Sequence, residues 1–159
     1  MWIQRVLPVT INYRISVKTL VKAGRYDWGN GNISSKYFPP ERQLATATLN
    51  ALVISINRYT KSPGVLAELR EADFRAGTLK ELLTFAAAHP DEQRADPIVA
   101  LGSIRPDLSG GLVPCLYGSG LGRGIDLRSF SDWWNGDCRF LAFAIDPQIL
   151  DIMSHFPHV

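Results

Sequence analysis

A chain of 159 residues that is 46% hydrophobic and 20% charged has the size and balance of one globular domain with a buried core, and leaves little room for two. Its 17 basic and 15 acidic residues give a formal charge of +2, with no run of like charge longer than a pair, so no nucleic-acid stripe is evident. The two cysteines, Cys115 and Cys138, match neither a zinc spacing nor a disulfide framework, which fits small apolar fillers in a reducing compartment.

The first residues, Met1-Trp2-Ile3-Gln4-Arg5, lack the basic segment and apolar core of a signal peptide. No window reaches the roughly 18 uninterrupted apolar residues of a membrane span. A soluble, cytoplasmic protein with no membrane partner is therefore expected.

In chain order, Leu7 to Asn12 reads as a short strand. Ser16 is placed to cap a helix whose Val17, Leu20 and Val21 share one face, and Gly24 stands where a left-handed C-terminal cap belongs. Arg25 to Glu41 reads as a long loop, because Gly-Asn-Gly-Asn favours positive backbone dihedrals and Pro39-Pro40 forbids helix and central strand. Leu44 to Asn57 is an uncharged stretch rich in Thr, Val, Ile and Leu, which predicts a long strand at the sheet centre. Its alternation slips near Asn50, where a bulge is expected.

Ser62-Pro63 predicts a helix start, with Val65, Leu66 and Leu69 buried and an end near Asp73. Thr78-Leu79-Lys80-Glu81 has the spacing of a capping box, and His89-Pro90 closes the helix it opens. Strands are then expected over Ile98 to Ser103, Leu112 to Tyr117, Ile125 to Phe130 and Arg139 to Ile145, as an antiparallel meander, followed by a terminal helix over Pro147 to His155. These elements make one α+β domain over residues 1–159, with a mainly antiparallel sheet and two or three packed helices.

Few residues carry a recognisable chemistry. Gly118 to Gly124 is rich in glycine but lacks a Lys-Ser/Thr pair and a following helix, so it reads as a hairpin tip and not as a phosphate loop. His89, His155 and His158 have no acidic or cysteine companion at a ligand interval, so neither metal nor cofactor is expected. There is no Gly-x-Ser-x-Gly elbow and no cysteine motif. The acidic pairs Asp107 with Asp126 and Asp132 with Asp137 are explained by turn formation.

The exception is aromatic. Trp28, Trp133 and Trp134 lie in turn-forming sequence, where a ring with an apolar body and a polar tip suits a binding surface. The candidate binding residues are Arg25, Tyr26, Asp27, Trp28 and Asn30 in one stretch and Trp133, Trp134, Asp137 and Arg139 in the other, forming a cleft for a protein partner or a small polar ligand. The alternative is that the three indoles fold back and seal the core.

The run Ala76 to Pro90, with Pro97 to Ser103, Val113-Pro114 and Trp134 to Ala142, resembles a family of small uncharacterised proteins from bacterial and phage genomes, as does Tyr26-Asp27-Trp28 followed by Phe38-Pro39. The chain departs from that pattern at Ile104-Arg105, where an aromatic is expected, at Cys115, where a tyrosine is expected, and in an extension after Ile145. The resemblance implies no activity and no catalytic residue. The Thr-Leu-x-Glu-Leu helix start, the strand meander and the Trp loop are also similar in pattern to C-type-lectin-like domains. The expectation is a non-enzymatic binding protein, of a type that would inhibit a component of bacterial defence. The competing class is a small enzyme acting on a polar metabolite or nucleotide, with Asp27, Asp137 and Arg139 in its cleft.

Overall fold

The computed structural model describes residues 1–41 and 45–146. The expected terminal helix, His155 and His158 lie outside them. In chain order the strands are β1 (Trp2–Asn12), β2 (Trp28–Gly29), β3 (Thr46–Ser55), β4 (Thr60–Lys61), β5 (Phe74–Ala76), β6 (Ile98–Val99), β7 (Leu112–Ser119), β8 (Gly122–Ser129), β9 (Trp133–Trp134) and β10 (Arg139–Ala144). The helices are α1 (Val17–Ala23), α2 (Ser62–Glu71) and α3 (Leu79–Ala88), with a 3₁₀ turn at Pro90–Arg94.

The main sheet runs β1-β3-β10-β6-β7-β8-β2, with β5 also paired to β10, and β4 pairs with β9 apart from it. All pairings are antiparallel except β10 with β6 and β2 with β8, so the α+β, mainly antiparallel class holds. The last strand, β10, is inserted between β3 and β6 and pairs with β5 as well, so β3, expected at the centre, is interior but second from the β1 edge. All six residues of β10 are buried.

Strand alternation divides the core between two faces of this sheet. On one, Val9, Val53, Ile98, Leu116, Ile125, Leu141 and Phe143 pack against α1 and α3. On the other, Leu52, Ile54, Val99, Cys115, Phe140 and Ala142 pack against Val65 and Leu69 of α2 and against Trp134. Both cysteines are free and buried in this second layer.

Three local expectations are corrected. No bulge occurs at Asn50: pairing with β1 is unbroken from Arg5/Val53 to Asn12/Thr46, and the irregularity lies between Ile3 and Arg5. The pattern changes at Asn50 because Thr46, Thr48 and Asn50 face solvent, whereas Ala51 to Ser55 are covered on both faces. Gly24 has φ −70°, and Arg25 carries the left-handed conformation at φ 51°. Glycine is required at position 24 for close approach, since a Cβ there would overlap the Tyr26 ring. Ser62 is the first helical residue and not the cap: its hydroxyl donates to the Phe130 carbonyl at 2.7 Å and accepts from Trp134 Nε1 at 2.9 Å.

The expected cap at Ser16 and the capping box at Thr78 are both present. The glycine-rich segment is a hairpin tip, with Ser119 facing Gly122.

Candidate functional site

Both aromatic stretches attach to β8, and neither is hydrogen-bonded to the other among the described residues. The first runs along the outer edge of β8. Asp27 N–H donates to the Arg123 carbonyl at 2.8 Å, its carboxylate accepts from Arg123 N–H at 2.7 Å, and Asn30 Nδ2 donates to Asp126 Oδ1 at 3.0 Å. These bonds seat β2 and hold the Trp28 indole flat over Gly122 and Gly124, where a Cβ at position 124 would overlap the ring. The second stretch meets β8 four residues further on, where Arg128 Nε donates to Asp132 at 3.3 Å and the Arg128 guanidinium lies 4.5 Å over the Trp134 ring.

Gly124, Asp126 and Arg128 alternate onto the same face of β8, so about 13 Å of strand separates the two attachments. Across from them on β7 stand Tyr117, facing Gly124, and Cys115, facing Asp126. Tyr117 completes the cluster, interacting with both Cys115 and Arg128. Burial pushes the Tyr117 phenol well above the usual tyrosine range and Cys115 adds to this, while Arg128 pulls the other way. Burial works against the Arg128 charge, but Tyr117 and Asp132 outweigh it and hold the guanidinium firmly protonated. The result is a pre-organised cation stacked on a buried indole, on the same face of β8 that Trp28, 47% exposed, covers about 13 Å away. Neither thiol supplies a nucleophile: burial pushes Cys115 up to about 12 and raises Cys138 as well.

The other expected site residues are divided among surface, edge and core. Trp133 is 59% exposed, with Lys61 Nζ 5.0 Å over its ring. Asp137 is exposed on a turn closed by Asn135 Oδ1, which accepts from Asp137 N–H at 2.9 Å. Arg25 is exposed at the end of α1. Tyr26 turns to the opposite face of the sheet, under the Arg123 guanidinium at 5.1 Å, and burial raises its phenol to about 12. Trp134 has no exposed surface, so for this indole the core alternative holds. Arg139 is buried on the face of Leu141 and Phe143, where it donates to the Glu92 and Asp96 carbonyls at 2.5 and 2.7 Å. The Asp27 carboxylate is bonded to β8, Arg139 is buried against the Glu92 and Asp96 carbonyls, and Asp137 is exposed on its own turn, so no hydrogen bond among the described residues joins the three.

Arg128, Tyr117 and Asp126 were not legible as site residues. Arg128 sits in an ordinary strand pattern, and only the register across β7 and β8 places it over Trp134. A second feature was equally hidden, a cleft of about 480 Å³ lined by Tyr13, Glu41, Arg75, Thr78, Glu81 and Ser103 among others. Most of its polar wall is paired, but Glu41 Oε1 is buried there without a hydrogen-bond partner. Glu81 accepts from Arg75 at 2.8 and 2.7 Å, from Tyr13 Oη at 2.5 Å and from Thr78 N–H at 2.9 Å. The first three amides of α3 donate to Ser103 Oγ, Glu41 and Thr78 Oγ1.

Among the described residues no group of three or more His, Cys, Asp and Glu is placed to hold a metal ion, and no helix is long and apolar enough to cross a membrane. No protein-family model, curated protein or solved structure matches this chain.

Proposed function

We propose that the chain is a binding protein whose partner contact is the β8 face, with Trp28 and Arg128 as its anchors. The observation that carries this reading is the fixing of Arg128 over Trp134 by Tyr117 and Asp132, on the same face of β8 as a half-exposed indole laid on two glycines. Arginine and tryptophan held rigidly in one patch give a partner large contact area at little cost in side-chain entropy, which is the composition of an interface hot spot. A protein surface is the favoured partner. The likeness to small proteins of bacterial and phage genomes makes a component of bacterial defence the class to test first.

Native mass spectrometry of the protein purified from a bacterial lysate is the direct test. A stoichiometric partner is expected with the wild type and is expected to be lost in W28A and R128A, while circular dichroism shows both variants folded. A partner retained by both variants would overturn the assignment of this face.

The small-enzyme reading rests on the cleft, whose volume lies in the range of small-molecule sites. It is the weaker reading because Glu81, the deepest carboxylate there, has its bonding capacity filled by Arg75, Tyr13 and Thr78.

A further inference from the structure

We infer that the outer face of α1 is a docking surface for the phosphate backbone of a nucleic-acid duplex. Five cations, Arg5, Arg14, Lys18, Lys22 and Arg25, precede the first acidic residue of the chain, Asp27. Arg5 lies on β1 and Arg14 ahead of the helix, but Lys18, Lys22 and Arg25 belong to α1 and its end. Val17 and Leu20 point into the core, Lys18 and Lys22 stand exposed on the opposite side one turn and about 6 Å apart along the axis, and Arg25, in the left-handed conformation just past the helix end, is exposed as well. None of these three has a carboxylate within ion-pair distance among the described residues.

The surroundings reinforce the row. The neighbouring helix α3 has one acidic residue, Glu81, which is 1% exposed and bound to Arg75, so it lends no negative field to the surface. The Asp27 carboxylate is engaged by Arg123 N–H. A lysine in the last turn complements the helix dipole and accounts for Lys22, but not for a row that begins before it and continues past the helix end.

The chemistry of the face selects its partner. None of the large exposed apolar side chains lies on α1 or α3, whereas an interfacial membrane helix needs an apolar flank and a protein hot spot needs an aromatic anchor. A row of solvated cations among Thr19, Ala23, Ala87 and Ala88 fits phosphates, which are contacted by charge and without sequence readout. This face lies on the opposite side of the sheet from the β8 patch, so the two proposals stand or fall separately.

Fluorescence anisotropy of a labelled 20-base-pair DNA duplex tests it. Three phosphate contacts predict that binding weakens by about fortyfold between 50 and 200 mM salt. The K18A/K22A/R25A variant is expected to lose at least about tenfold in affinity at 50 mM salt and to flatten the salt dependence, while K18R/K22R/R25K keeps both. Removing the same charge elsewhere, in R5A/R58A/R70A, is expected to leave binding intact. No binding at 50 mM salt, equal loss in the two alanine triples, or capture by phosphatidylserine vesicles with none by the duplex would each overturn the inference.

Discussion

Glu81 ties β1's end, β5 and α3 together through one buried carboxylate. It closes the capping box of α3, receives both terminal nitrogens of Arg75 and accepts the Tyr13 hydroxyl, all with 1% of its surface exposed. Burial alone would raise its pKa, but the Arg75, Tyr13 and Thr78 bonds together outweigh burial and hold the carboxyl below the usual glutamate value. A folded pKa below the unfolded one means that this stabilisation is complete above about pH 4.3 and is lost as pH falls through the lower folded value. Urea midpoints from pH 7 to pH 3 are therefore expected to drop more steeply in the wild type than in E81Q, and parallel curves would remove Glu81 as the cause. Truncation is harsher: E81A leaves the Arg75 charge and the Tyr13 hydroxyl without their carboxylate, at a cost of about 3 kcal/mol. The two indoles separate at the same scale. W134A removes a fully buried ring together with its bond to Ser62, so a loss of about 3–5 kcal/mol is expected. W28A costs much less, because about half of that ring is already in solvent. Equal losses in chemical denaturation would place Trp28 in the core and take away the anchor on which the proposed function depends.

At the scale of elements, what could be read from the sequence was what is settled locally. The Ser16 cap, the Thr78 box with its Leu79, Leu82, Leu83 and Ala86 stripe, and the His89-Pro90 stop depend on residues within one or two turns of each other, and all are present. Strand existence was legible for the same reason. Strand order was not, since nothing local in Arg139 to Ala144 announces that it slots between β3 and β6, nor that Ile98 to Val99 meets it in parallel. The candidate site was legible by half. Turn composition marked both aromatic stretches, but their fates depend on what lies beneath them, a glycine trough under Trp28 and the Ser62 hydroxyl beside Trp134. Those glycines, read alone, suggested only a flexible tip. A G124A substitution tests the trough: its methyl group collides with the indole, so β2 is expected to lift from β8 and Trp28 fluorescence to shift to the red. Far-ultraviolet circular dichroism should stay close to wild type, since two residues of strand are at stake. An unshifted spectrum would show that Trp28 does not rest on β8.

For the whole molecule, the long outer strand poses the risk that every open sheet carries, an unpaired edge ready to template another copy. β1 spans eleven residues and leaves Trp2 and Val6 exposed beside that edge. The protection is placed near its middle. Pro8 has no amide hydrogen to offer an incoming strand, and its carbonyl accepts from His89 Nε2 at 2.9 Å, which requires the proton to sit on that nitrogen. The irregularity between Ile3 and Arg5 adds a local break in the strand ahead of it. His89 stands where α3 stops, so the helix end that the His89-Pro90 pair dictates also delivers the side chain that covers the edge. If this is what limits strand addition, P8V/H89A restores a donor and frees an acceptor, and of the core it removes only the His89 ring packed 5.4 Å from Phe85. Sedimentation velocity is then expected to show mass rising with concentration for P8V/H89A and not for the wild type at equal loading. Identical, concentration-independent profiles would mean that the edge is blocked by something other than Pro8 and His89.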